Sequence, residues 1–281
     1  MKKYLYLLSV ILSMAMVFPL VSCGSDDDDD GDGVNSGGKG KLVSQINVYS
    51  GSYLRQTITF YYDKKNRVTS ADYSNDNAIL GPGYMRIYFN LEGSTLTLSS
   101  CPSGESNPTR GVDGDGYGEG KLNSMGLLTE ENFENYSYEL ESGDYTVCRY
   151  EHNSKGQCTS YAFYSSPRDA ERDRSSDRCT YTWENDCIKR ITGNPGGANY
   201  ASTPSYTDIE NKANINLNLM FMDQLYSEDI FGLALCGYIS SKDKFLLSSF
   251  GNGSIKWQVD SQGYVTKAEY SGYSYEISYT K

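Results

Sequence analysis

From residue 41 onward, apolar and polar residues alternate in short runs separated by Gly, Asn, Asp and Ser. This is the period of strands with one buried face. In residues 55–62, Ile58, Phe60 and Tyr62 alternate with Thr57, Thr59 and Tyr61; in the last run, Tyr273, Tyr275, Ile277 and Tyr279 alternate with Ser274, Glu276 and Ser278. Further strands are predicted near 42–50, 68–73, 84–91, 94–99, 122–128, 135–140, 144–152, 158–164, 178–184, 254–259 and 264–270. Residues 101–120 read as a long loop, and the mixed charges of 168–174 read as a solvated tip. The pattern changes in residues 211–245. Ile215, Leu217, Leu219 and Phe221 between Asn214, Asn216 and Asn218 predict an extended entry. Ser227, Glu228 and Asp229 then form a capping signal before Ile230, Phe231 and Leu233, with Gly237 as the stop. The reading is a mainly all-β body, an antiparallel up-and-down meander of hairpins curled or closed toward a barrel, with one short helix around 228–236.

One turn pattern recurs. Asp63, Asn66, Val68 and Thr69 match Asp260, Gly263, Val265 and Thr266, and weaker copies are Asn123, Gly126, Leu128, Thr129 and Asn153, Gly156, Cys158, Thr159. Asp or Asn opens a type I turn through its side chain, and Asn or Gly accepts positive φ at the fourth position, giving a three-residue hairpin loop with a bulge. This geometry predicts Tyr62 opposite Val68, Val259 opposite Val265, His152 opposite Cys158 and Cys148 opposite Ala162. Asn185-Asp186 suits a two-residue turn. The eight positions Asp63, Asn66, Asn123, Gly126, Asn153, Gly156, Asp260 and Gly263 are thus structural.

The N-terminus carries a different message. Lys2 and Lys3 precede an apolar run that ends at Leu20-Val21-Ser22-Cys23, the layout of a signal peptide. These four residues resemble a bacterial lipobox, which implies a lipid on Cys23. Gly24-Ser25 and five aspartates, Asp26 to Asp30, then lead a Gly/Ser/Asn stretch to Gly40, a composition that suits a flexible tether. An acidic run after the lipidated Cys resembles the export signal of Bacteroidota-type surface lipoproteins, which implies an outer-membrane lipoprotein facing the exterior. The division is therefore 1–22 signal peptide, 23–40 tether and 41–281 a single β domain.

The chain has a formal charge of −11; three lysines and six aspartates in residues 1–40 leave −8 for residues 41–281. An acidic body argues against nucleic acid as a partner and against electrostatic docking on anionic lipid, so the membrane would be held through the lipid alone. Cys101, Cys148, Cys158, Cys179, Cys187 and Cys236 follow Cys23. Their spacing lacks the paired form of a zinc site; most are expected to be buried small hydrophobes, and any disulfide pairing is open. The single histidine, His152, reads as a solvated hairpin residue. Asp113 to Gly118 begins like a calcium loop, but Ser124 stands where a bidentate Glu is needed. No metal, cofactor or catalytic constellation is expected, and the chain is read as a non-enzyme. Trp183, Trp257 and the tyrosines are candidates to stack on sugars, with core packing the commoner role.

Tyr62-Asp63 to Thr69 is similar to the Tyr-Asp repeats of Rhs-type proteins. Lipobox, acidic tether, Tyr-rich hairpins and Asn-Ile-Asn-Leu-Asn at 214–218 together resemble uncharacterised Bacteroidota lipoproteins with a porin-like fold. That resemblance implies an antiparallel meander curled toward a barrel and no known catalytic residues. The leading expectation is a lipid-anchored surface protein whose body binds glycan or protein. The alternatives are a glycan hydrolase using two carboxylates and an outer-membrane pore.

Overall fold

The computed structural model describes residues 41–64, 66–77, 81–102, 116–135, 145–194, 199–222 and 237–280. It contains β1 (Val43–Ser50), β2 (Tyr53–Tyr62), β3 (Val68–Asn77), β4 (Gly81–Glu92), β5 (Thr95–Pro102), β6 (Gly116–Leu122), β7 (Leu128–Asn135), β8 (Tyr145–His152) and β9 (Cys158–Tyr164). After helix α1 (Pro167–Glu171) come β10 (Asp177–Glu184), β11 (Cys187–Gly193), β12 (Tyr200–Ser202), β13 (Ser205–Glu210), β14 (Phe245–Phe250), β15 (Gly253–Ser254), β16 (Lys256–Val259), β17 (Val265–Tyr270) and β18 (Tyr273–Tyr279). Fifteen strands make one antiparallel sheet: β12 back through β1 in sequence order, then β18, β17 and β16. The sheet is open, and its end strands β12 and β16 lead directly into the outer strands of a second sheet, β13-β14-β15.

The predicted turns form as expected, and the structure explains the recurring threonine. Asn66, Gly126, Gly156 and Gly263 all have positive φ, between 60° and 82°. Tyr62 pairs with Val68 and Val259 with Val265. In each of the four copies the register then slips by one, leaving Thr69, Thr129, Thr159 or Thr266 as the bulged residue. Each of these hydroxyls donates to the carbonyl of the residue across the bulge, those of Tyr61, Lys121, Glu151 and Gln258 at 3.2–3.4 Å. A bulge interrupts the ladder, and Thr supplies the missing donor. Asn185 and Asp186 also have positive φ, 52° and 58°, as the tip of the β10–β11 hairpin.

The bulge also corrects one expectation. His152 does face Cys158, but Cys148 faces Phe163, and Ala162 faces Arg149. The extra Thr159 moves every later pair by one residue. Cys148, Cys158, Cys179 and Cys187 are buried free thiols; the side chain of Cys101 and all of Cys236 lie outside the described residues. Three other expectations change. Residues 116–120 belong to strand β6. Residues 167–171 are the short helix α1, capped by Ser166 accepting from the Asp169 amide, and Ala170 packs on Val147, Ala162 and Tyr164. The helix expected at 228–236 lies outside the described residues. Residues 217–221 form a 3-10 turn with both faces buried, so the Asn alternation is not that of a half-wet strand.

The faces of the large sheet differ sharply. Ile46, Ile58, Phe60, Tyr73, Ile87, Leu98, Phe133, Tyr161, Ile191 and Ile277 from its inner face share one buried cluster with Ile215, Leu217, Phe221, Leu246 and Leu247. Phe221 sits edge-on to Trp257, Tyr270 and Tyr275 at 5.4, 5.3 and 5.2 Å between ring centres, which ties the central segment to β16, β17 and β18. Among the described residues the outer face carries ion pairs, with a small apolar cluster under α1: Asp72 pairs with Arg86, and Glu130 lies between Lys121 (2.9 Å) and Arg149 (3.0 Å). The sheet therefore wraps around its own chain.

Replacing Gly263 by Val forces a β-branched residue to φ +82° with the Lys212 ammonium 2.9 Å from the new Cβ position. We expect a loss of about 1–3 kcal/mol, seen as a lower midpoint in thermal unfolding; an unchanged midpoint would refute this role for the turn.

Candidate functional site

Because the strands alternate in direction, the tips after β2, β6, β8, β10 and β16 gather at one rim, together with the start of β1. All eight structural turn positions lie there. Two segments of the chain run beneath this rim and bind it. The carbonyl of Tyr238 accepts from Leu128 N at 2.6 Å, Ser240 Oγ accepts from Cys158 N at 3.0 Å, and Ser241 N donates to Gly156 at 2.9 Å. Lys244 N donates to Asp186 at 2.9 Å. Asn214 accepts from Val43 N at 2.9 Å, and Lys212 Nζ donates to Gln262 at 2.9 Å. His152 belongs to this belt, contrary to its reading as a solvated residue: Nε2 donates to the Ile239 carbonyl at 2.7 Å, and burial lowers its pKa.

At the centre is Asp243, fully buried. Its Oδ1 accepts from Ile188 N (3.0 Å) and Tyr206 OH (3.1 Å); its Oδ2 accepts from Asn216 (2.9 Å) and Asn218 (3.2 Å). Asn218 in turn accepts from Leu247 N and donates to the Phe245 carbonyl, both at 2.7 Å. Burial raises the Asp243 pKa, and the four donors work against that rise. Lys242 beside it donates to the carbonyls of Asn211 (2.9 Å) and Ala213 (2.6 Å), and burial lowers its pKa to about 8. The sequence shows the Asn spacing, but nothing in it pairs those residues with Asp243. This site has the character of a structural latch.

The opposite rim carries an open cleft. A cavity of 430 Å³ is lined by Gly51, Ser254, Lys256, Lys267, Glu269 and residues 270–274, within the range of small-ligand pockets. Ser50 of β1 pairs with Tyr53 on one side and Tyr273 on the other, and Tyr273 pairs with Tyr270. Directly paired residues share a face, so these tyrosines form a row along the rim. Tyr53 and Tyr273 are each 45% exposed and Leu54 41%, three of the five exposed large hydrophobics among the described residues. Lys267 and Glu269 pair at 2.9 Å, and Lys256 lies across from Glu269 on the edge strand. The Lys267 hydrogen bond, with Lys256 as a weaker second charge, lowers the Glu269 pKa. Glu269 is the one carboxylate among the residues lining the cleft. Trp183 and Trp257 are half-buried, with indole N–H groups bonded to the carbonyls of Cys158 (2.7 Å) and Leu247 (2.6 Å); they serve the core.

No protein-family profile matches the chain, and no curated protein matches it either. Solved structures do. A porin-like protein from Bacteroides uniformis aligns with a TM-score of 0.62 at 10% identity, covering 86% of this chain and 98% of that one. A porin-like protein from Bacteroides vulgatus aligns with a TM-score of 0.55 at 12% identity, covering 85% and 99%. The fold is porin-like. Its polarity is nevertheless the reverse of a membrane pore, which carries an apolar band outside and polar side chains within.

Two outcomes test the latch. Asp243→Ala leaves four donors without their acceptor, and we expect a loss of at least about 3 kcal/mol, measured by denaturant unfolding. Lys242 binds fewer protons folded than unfolded between about pH 8 and its ordinary 10.5. Its charging cost is therefore present below pH 8 and is relieved as pH rises. Relative to Lys242→Met, the native protein should gain stability between pH 8 and 10, by less than about 1.4 kcal/mol per pH unit. A parallel pair of pH profiles would refute the assignment.

Proposed function

We propose that the protein is a lipid-anchored surface protein whose β body is a binding module for glycan or protein, with the rim that carries the exposed Tyr53 and Tyr273 as its docking site. The observation that carries this reading is the division of labour between the two rims. One rim is tied to the belt by bonds at almost every tip, whereas the other presents exposed tyrosines and an open cavity. Exposed, rigid aromatic rings at a concave surface are the usual anchors of recognition.

The proposed anchor fits this geometry. The chain enters β1 at the latched rim, so a lipid on Cys23 followed by residues 24–40 would hold that rim toward the membrane. With the anchor at that rim, the cleft at the opposite rim would face away from the membrane. The lipobox-like residues 20–23 and the acidic run support an outer-membrane position with the body outside the cell. A pore is disfavoured, because the sheet's inner face is filled by buried side chains. A two-carboxylate hydrolase finds one acid, Glu269, on the cleft wall.

The full chain in detergent, screened on a glycan array and in pull-downs from surface-protein extracts, should capture a ligand. Tyr273→Ala should weaken that capture about five- to tenfold without lowering the melting temperature. Turnover of a polysaccharide with no binding, or binding indifferent to Tyr273, would overturn the proposal.

A further inference from the structure

We infer that the outer face of the sheet over β2 to β6 binds an uncharged, extended β-1,4-linked polysaccharide, at a surface separate from the rim of Tyr53 and Tyr273. Tyr61 pairs with Ser70, Ser70 with Tyr88, and Tyr88 with Ser99. Directly paired residues share a face, and the adjacent Phe60 and Ile87 belong to the core, so this row lies on the outside. The same register passes to Tyr117 on β6 and, through Glu134, to Tyr145 on β8. Tyrosine thus recurs on every second strand. Two strands span roughly 9.5 Å, close to the distance over which an extended β-1,4-linked chain turns the same ring face to a surface again. The first ring is held in place. Tyr61 is 42% exposed, and its hydroxyl donates to Asp72 at 2.9 Å. The Arg86 guanidinium, paired with Asp72, lies 5.3 Å from the centre of that ring and 6.0 Å from the Tyr88 ring. Asp72 and Arg86 offset each other's charge, and residues 41–281 carry −8, so an anionic polymer meets repulsion here with no spare cation in the described part of the row. The rows alongside are polar, with Thr59 and Asp72 on one side and Asn90 and Thr97 on the other. A line of rings one residue wide, edged by hydroxyl and amide groups, suits a linear chain of sugar rings. A protein partner wants a broader apolar centre.

The probes are cellohexaose, mannohexaose and xylohexaose, compared by calorimetry with maltohexaose, whose α-1,4 linkage curls the chain, using the full chain in detergent. At least one of the three should bind about fivefold or more tightly than maltohexaose, with an affinity that salt leaves unchanged. Tyr61→Ala and Tyr88→Ala should each weaken that binding about five- to tenfold. Tyr61→Phe keeps the ring and loses only the bond to Asp72, so its affinity should stay within about threefold. No binding of any β-1,4-linked hexaose, equal binding of maltohexaose, or full affinity in Tyr61→Ala would overturn the inference. Equal losses in Tyr61→Ala and Tyr61→Phe would mark a merely structural role for Tyr61 and overturn it too. If Tyr273→Ala abolishes binding while Tyr61→Ala leaves it intact, the sugar sits at the rim: this inference falls and the proposed rim site stands. The reverse pattern removes the rim site and leaves the tyrosine row.

Discussion

A curled sheet of fifteen strands encloses more volume than its own side chains can fill. Eight strands already leave an interior just wide enough for side chains, and larger barrels hold either water or a plug. Here the plug is the chain itself: residues 211–222, residues 237–244 and the small sheet β13-β14-β15 lie against the inner face. Bringing irregular backbone into a core creates a second problem, because its amides and carbonyls need partners there. Asp243 and the asparagines are the answer. Asn218 substitutes for a strand by donating to Phe245 and accepting from Leu247, and Asp243 gathers four donors from three parts of the chain. The width of the sheet thus dictates the plug, and the plug dictates the buried polar cluster.

The rim bulges belong to the same chain of causes. A bulge breaks the ladder and turns a backbone N–H away from its neighbour strand. At Leu128 and Cys158 those amides are taken by Tyr238 and Ser240 of the belt. The repeated turn is therefore both a folding device and a docking edge for the plug. The copies at 123–129 and 153–159 thus share their offsets and also meet one common segment, residues 238–241.

Local chemistry was legible in the sequence wherever it was decided locally. The side chain of Asp63 or Asn153 and the positive φ of Gly156 or Gly263 follow from adjacent residues alone, and Tyr62 opposite Val68 followed with them. The register beyond the tip did not, because one extra residue, Thr159, is invisible to an alternation count and shifts Cys148 from Ala162 to Phe163. Ile215, Leu217 and Leu219 between asparagines mimicked a half-wet strand, since polarity reports exposure only when no buried partner exists; Asp243 is that partner and lies 27 residues from Asn216. His152 was misread for the same reason, its acceptor Ile239 being remote in sequence. The cleft was the least legible, because it is made by three strand ends that meet only through the closing pairs of β1 with β18 and β17 with β18.

That closing pair gives the two rims their separate roles. Where β18 meets β1, one end of the seam holds Val43 and Tyr279 within reach of Asn214, and the other ends in two tight turns at 51–52 and 271–272. The first end is fixed by the plug, so changes there disturb the whole core. The second is supported from below by Phe221 against Tyr270 and Tyr275, while Tyr53 and Tyr273 at its tip are half exposed. A side chain such as Tyr273 is then held by a paired ladder while part of its surface stays open to water. Binding residues commonly sit on short segments positioned by such a scaffold, and because the scaffold is stabilised at the far rim, the rim proposed for binding would be free to vary in sequence.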